Sequence, residues 1–152
     1  MKRKILSLAS ICVMMIGILV LTGCFGGKDT GLKDGNFGAK GLSYSSLTTV
    51  TGSKQNVTTS FTGSTSTGGA FRFRVYTFTD NTARDLAASA YTTYLEGEGF
   101  VYLGITKFQF EITGSTTVTI NYEKTEGGFV QVFGVDSSVN NRLRVIFIAV
   151  EV

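Results

Sequence analysis

The chain has 152 residues, of which 43% are hydrophobic and 16% are charged. This balance predicts a single globular domain with a modest core and excludes a disordered chain. The sequence has no histidine and two cysteines, which excludes the Ser-His-Asp triad and removes the commonest ligand of transition metals. Because the glycine-rich stretches also lack the spacing of a phosphate-binding loop, we predict no catalytic residue, no metal site and no cofactor.

The N-terminus has the pattern of a cleavable signal peptide. Residues 2–4 are basic, and residues 5–21 are apolar except for two serines and one glycine. A basic start before a long apolar run is typical of exported proteins. A run of about 20 apolar residues can also span a bilayer as a permanent helix, so the run alone leaves these two alternatives open.

The end of the apolar run separates the two alternatives. Residues 21–24 are Leu-Thr-Gly-Cys, and this order of one aliphatic residue, two small residues and a cysteine resembles the lipobox of bacterial lipoproteins. The resemblance covers residues 1–24 and implies that Cys24 receives a diacylglyceryl group and becomes the first residue of the mature chain. It also implies an anchor on the extracytoplasmic side of a membrane. Phe25, rather than Asp, follows the cysteine, which resembles outer-membrane sorting in organisms with two membranes.

Removal of residues 1–23 changes the charge and the thiol content of the chain. The formal charge of +3 comes from 14 basic and 11 acidic residues, and three of the basic residues lie in the removed segment, which leaves 11 against 11. A neutral mature chain has no bulk attraction to nucleic acid, so no nucleic-acid partner is predicted. Cys12 leaves with the signal peptide and Cys24 carries lipid, so no free thiol is predicted.

The mature chain is predicted to start with a tether and to continue as one domain. Residues 24–41 are rich in glycine and poor in apolar residues, which predicts a flexible tether ahead of a globular domain at 42–152. Residues 42–51 and 55–62 predict two strands, because Thr, Val and Tyr are frequent there and Gly52 and Ser53 supply a turn. A third strand is predicted from residue 70 onward, where apolar and polar residues alternate.

One amphipathic helix is predicted over residues 80–97. Asp80 has a side chain suited to an N-cap, and Gly97 and Gly99 favour an end. Apolar residues recur at spacings of three and four along the segment, and we expect that face to pack on the sheet. The face comprises Ala83, Leu86, Ala87, Ala90, Tyr91, Tyr94 and Leu95.

The rest of the chain predicts strands again. Alternating patterns at 108–112, 117–123 and 129–135 are separated by tight turns, which favour antiparallel pairing. Residues 142–150 are apolar on both faces, which predicts a central strand or one covered on both sides. We therefore predict an α+β fold in which a single amphipathic helix packs on one face of an antiparallel sheet of about six or seven strands.

Two pairs of arginines form the candidate binding site. Arg72 and Arg74 precede the predicted helix, and Arg142 and Arg144 lie in the last predicted strand. Alternation places each pair on one face of its strand. If the strands were neighbours with both pairs on one side, four guanidinium groups would form a patch suited to binding carboxylate or phosphate. The alternative is that these are ordinary surface arginines, which pair with acids such as Glu111 or Glu123.

These features favour a membrane-anchored envelope lipoprotein that acts as a non-enzymatic binding or accessory module. The membrane is the predicted partner of the lipid on Cys24, and an acidic glycan or an envelope protein is the candidate ligand. A carboxylate-type hydrolase of the cell envelope is the first alternative, and it would need two acidic side chains facing each other in a cleft. The second alternative is a structural envelope component that binds another protein through its sheet.

Overall fold

The computed structural model describes residues 36–38, 40–64, 69–104, 108–111 and 117–152. The predicted signal peptide, the predicted lipidation site and residues 25–35 of the predicted tether lie outside this part of the chain. The helices and strands of the described part are α1 (Leu47–Thr51), β1 (Asn56–Ser64), β2 (Ala70–Thr77), α2 (Asn81–Gly97), β3 (Val101–Tyr102), β4 (Phe108–Glu111), β5 (Thr117–Ile120), β6 (Tyr122–Glu126), β7 (Phe129–Asp136) and β8 (Arg142–Glu151).

The predicted α+β fold is confirmed. Six strands form one antiparallel sheet in the order β1-β2-β8-β7-β6-β3, and β4 and β5 form a separate antiparallel pair. β8 lies between β2 and β7 and is buried on both faces, as its sequence predicts. Leu143, Val145 and Phe147 belong to the core on the helix side, whereas Ile146 and Ile148 belong to a second core on the opposite side.

Helix α2 begins where the sequence predicts, but it turns a different face toward the sheet. The Asp80 side chain accepts a hydrogen bond from the Ala83 N–H at 2.8 Å, which caps the helix. The expected burial of Leu86 is wrong, because this side chain is 68% exposed. Tyr94 is half-buried against the helix-side core. The buried residues of the helix are Arg84, Ala87, Tyr91 and Leu95.

Arg84 explains why the apolar pattern misplaced the buried face. Its guanidinium donates to the Asn81 side chain at 2.8 Å and to the Val139 carbonyl at 2.9 Å. These contacts satisfy a charged side chain on the inner side of the helix. A pattern that counts only apolar residues assigns arginine to the surface and therefore shifts the predicted face toward Leu86.

We expect Leu86→Ala to change the free energy of unfolding by less than about 0.5 kcal/mol, because the side chain lies in solvent. Leu95→Ala, in the same helix, should lower it by about 2–5 kcal/mol, because Leu95 is completely buried. Urea unfolding of the two variants measures both values. A large loss in Leu86→Ala would contradict the orientation of α2.

The predicted strand at 42–51 is wrong, because its second half forms helix α1. The Ser46 side chain accepts a hydrogen bond from the Thr49 N–H at 3.3 Å, and Gly52 ends the helix with a φ of 67°. These two caps and the complete burial of Leu47 outweigh the strand preference of the β-branched residues. The neighbouring prediction at 55–62 is confirmed by β1.

The globular domain begins earlier than residue 42. Phe37 is fully buried, and its N–H donates to the Tyr44 carbonyl at 2.9 Å. The Phe37 ring contacts Tyr91 of α2 and Phe133 of β7, with centroid separations of 6.0 and 5.7 Å. The predicted tether boundary at residue 41 is therefore wrong. The glycine-rich composition of this segment predicted a tether, although one of its residues, Phe37, packs between the helix and the sheet.

Candidate functional site

Arg72 and Arg74 lie on the helix side of the sheet. Their register partners in β8 are Phe147 and Val145, which belong to the helix-side core. Residues directly opposite each other in an antiparallel pair share a face. Arg72 donates to the Asn36 carbonyl at 2.9 Å, and Arg74 donates to the same oxygen at 3.4 Å. This pair therefore fastens the start of the domain to β2.

Burial affects both Arg72 and Arg74. Arg74 is buried, and its guanidinium carbon lies 4.7 Å from the centroid of the Phe37 ring, a favourable cation–π arrangement. Burial lowers the pKa of Arg72, and the nearby positive charge of Arg74 lowers it further.

Arg142 and Arg144 lie on the opposite side of the sheet. Their register partners in β2 are Thr77 and Val75, and Val75 belongs to the second core. Arg144 forms an ion pair with Asp136 at 2.5 Å and donates to the Ser138 hydroxyl at 3.1 Å. The four arginines therefore do not form one patch, and the expectation of a shared site is wrong.

Asp136 was not among the candidate residues predicted from the sequence. It is buried, and its second carboxylate oxygen accepts from the Ser138 N–H at 2.8 Å. It lies directly opposite Arg144 in the β7–β8 register. The β7–β8 hairpin could have predicted this ion pair. Once the turn between the strands is located, Asp136 at the end of β7 lies opposite Arg144 near the start of β8. The ion pair closes the β7–β8 connection.

A second polar group on the helix side was also missed. The Tyr44 hydroxyl donates to the side-chain oxygen of Gln131, and Gln131 is fully buried in β7. Burial raises the pKa of the Tyr44 hydroxyl, which keeps it a neutral donor. Tyr44 lay in a segment predicted as a strand, and the pairing of Tyr44 with Gln131, 87 residues away, had no local signal.

Lys124 joins the end of α2 to β6. Its ammonium group donates to the Glu98 carbonyl at 2.8 Å and pairs with the Glu126 carboxylate at 2.5 Å. The hydrogen bond to Glu126 raises the pKa of Lys124. Lys124 thus links the end of α2 to β6, just as Arg144 links β8 to β7.

Comparisons of the chain with models of protein families, with curated proteins and with solved structures found no match.

The described residues contain no group of three or more His, Cys, Asp or Glu side chains that could hold a metal ion. Among the same residues, no helix is long and apolar enough to cross a bilayer. In the described residues, the side chains of Arg72, Arg144 and Lys124 bind groups of the domain itself. Their partners are backbone carbonyls, a hydroxyl and carboxylates.

Proposed function

We propose that this chain is a bacterial envelope lipoprotein, anchored through lipid on Cys24, whose domain acts as a non-enzymatic binding or accessory module. The observation that carries the proposal is the sequence Leu-Thr-Gly-Cys at 21–24, which ends an apolar run with a basic start. Two acyl chains provide stable anchoring, because each buried methylene contributes about 0.8 kcal/mol.

The early start of the domain supports a position close to the membrane. Eleven residues separate Cys24 from Asn36, the first described residue. A fully extended chain spans about 3.3–3.6 Å per residue, so the link from Cys24 to Asn36 reaches at most about 40 Å. The predicted ligand or partner would therefore be met at the membrane surface.

The contacts of Asp136 count against the alternative of a carboxylate-type hydrolase. Such a hydrolase needs two acidic side chains that face a shared substrate. Asp136 is the buried acid of the described part, and both of its oxygens are engaged, by Arg144 and by the Ser138 N–H. An acid whose two oxygens both bind groups of the domain itself is a poor candidate for proton transfer to a substrate.

Metabolic labelling with a radioactive fatty acid tests the anchor. Cys24→Ser should abolish labelling and leave an unprocessed precursor in the membrane fraction. Cys12→Ser is the matched control, because it changes the other cysteine of the N-terminal segment and should leave labelling and processing unchanged. Normal labelling or normal cleavage of Cys24→Ser would show that the proposed anchor is wrong.

A further inference from the structure

The two edges of the main sheet differ in length and in protection. One edge is β3, which has two residues, whereas the other edge is β1, which has nine. Sheet edges in natural proteins are usually protected by charged side chains, proline, bulges or shortness, since their free N–H and C=O groups can pair with another chain. Residues 56–64 contain no charged residue and no proline. β1 lacks the first two of these protections.

A bulge protects only the beginning of β1. Its register with β2 shifts between Val57 and Thr59 and is continuous from Thr59 to Ser64. No described strand pairs with the outer side of β1. Six consecutive residues, about 20 Å of strand, therefore present a regular edge.

We propose that β1 is a dimerisation edge, which pairs antiparallel with β1 of a second copy of this chain about a twofold axis at Phe61. Self-pairing brings no like charges together, because the strand has none. The axis places Phe61 opposite its copy, and aromatic cross-strand pairs are stabilising. Phe61 is already held on one side of the sheet by stacking on Phe73, with ring centroids 6.1 Å apart and nearly parallel planes. In this register, Ser60 lies opposite Thr62 of the copy.

The proposed dimer should form more readily on a membrane than in solution. About this axis the regular part of the edge pairs over residues 59–63 of each copy. Five residues of strand bury less than the roughly 1,200 Å² of a stable complex, so the dimer is weak in dilute solution. Confinement to one surface raises the effective concentration of the two copies. This last step rests on the proposed lipid anchor, whereas the geometry of the edge does not.

Disulfide cross-linking of the full chain in membranes of the expressing cells tests the proposal. The Ser60→Cys/Thr62→Cys variant should give a covalent dimer of twice the chain mass after mild oxidation, whereas each single variant should link weakly. Co-expression of the two single variants should restore the link, because residue 60 faces residue 62 of the copy. Both substitutions are mild, since Thr62 is exposed and Ser60 is half-buried.

The unaltered chain and Leu86→Cys, at an exposed position of α2, are the controls and should give little dimer. Equal dimer yield from Leu86→Cys, no dimer from the double variant, or linkage to a protein of another mass would each overturn the proposal. Fatty-acid labelling of the same samples reports on the anchor separately, so a failed anchor and a failed dimer edge are distinguishable.

Discussion

Phe37→Ala is expected to lower the free energy of unfolding by about 3–5 kcal/mol, the usual cost of removing a buried aromatic ring. Phe37 is fully buried between α2 and the sheet, and it supports the guanidinium of Arg74. Domains of this size have about 5–15 kcal/mol of stability. The loss therefore removes a large part of the stability of the domain, although the residue lies in a segment whose composition predicts a tether.

Urea unfolding of the mature chain with Cys24→Ser measures this effect. Lys40→Gly is a control in the same segment, because Lys40 is exposed and has a φ of 52°, a conformation that glycine adopts without strain. It should leave the stability unchanged or raise it slightly. A chain that begins at residue 42 should be destabilised at least as much as Phe37→Ala. Equal stability of the short and long chains would show that residues 36–41 are a tether after all.

Gly134→Ala should be the second severe substitution, with an expected loss of about 3 kcal/mol or more from overpacking. Gly134 lies in β7, where Thr119 of β5 packs against the sheet. A Cβ atom added there would collide with the backbone oxygen of Thr119 and would lie 2.7 Å from the Ile146 side chain. Because the first obstacle is backbone, the β4–β5 pair would have to move away from the second core.

Gly97→Ala is the matched control for this substitution. Gly97 is the last residue of α2, and an added Cβ there meets no atom within 4 Å. It should therefore raise the stability by about 0.5–1 kcal/mol, since alanine loses less conformational entropy than glycine on folding. Thermal unfolding of both variants checks the pair, and a stable Gly134→Ala would place β5 elsewhere.

Periodicity in the sequence predicted the larger elements because it reflects burial directly. The alternation in β2 and the tight turns between the later strands predicted an antiparallel sheet, and the double apolar face of β8 predicted a last strand that is central or covered on both sides. The exceptions are residues where a polar contact replaces an apolar one or a cap replaces a strand. Arg84 is buried through its hydrogen bonds, and Ser46 and Gly52 close a helix that the composition does not favour.

The candidate site was harder to predict because it depends on register. Arg72 and Arg144 lie in neighbouring strands, which was one condition for the predicted patch. Their strands pair so that Arg72 faces Phe147 and Arg144 faces Val75, which puts the two pairs on opposite sides. A shift by one residue would have reversed this result, and no local pattern determines it. The pairing of Asp136 with Arg144 likewise depends on the length of the β7–β8 turn.

The intact mass of the mature protein, purified from membranes in detergent, tests the proposed lipid anchor. The mature chain should begin at Cys24 and carry the added mass of a diacylglyceryl group on that residue. Treatment that hydrolyses the ester-linked fatty acids should then lower the mass accordingly. A chain that still begins at Met1, or one that begins at residue 24 without lipid, would contradict the claim that this protein is an anchored lipoprotein.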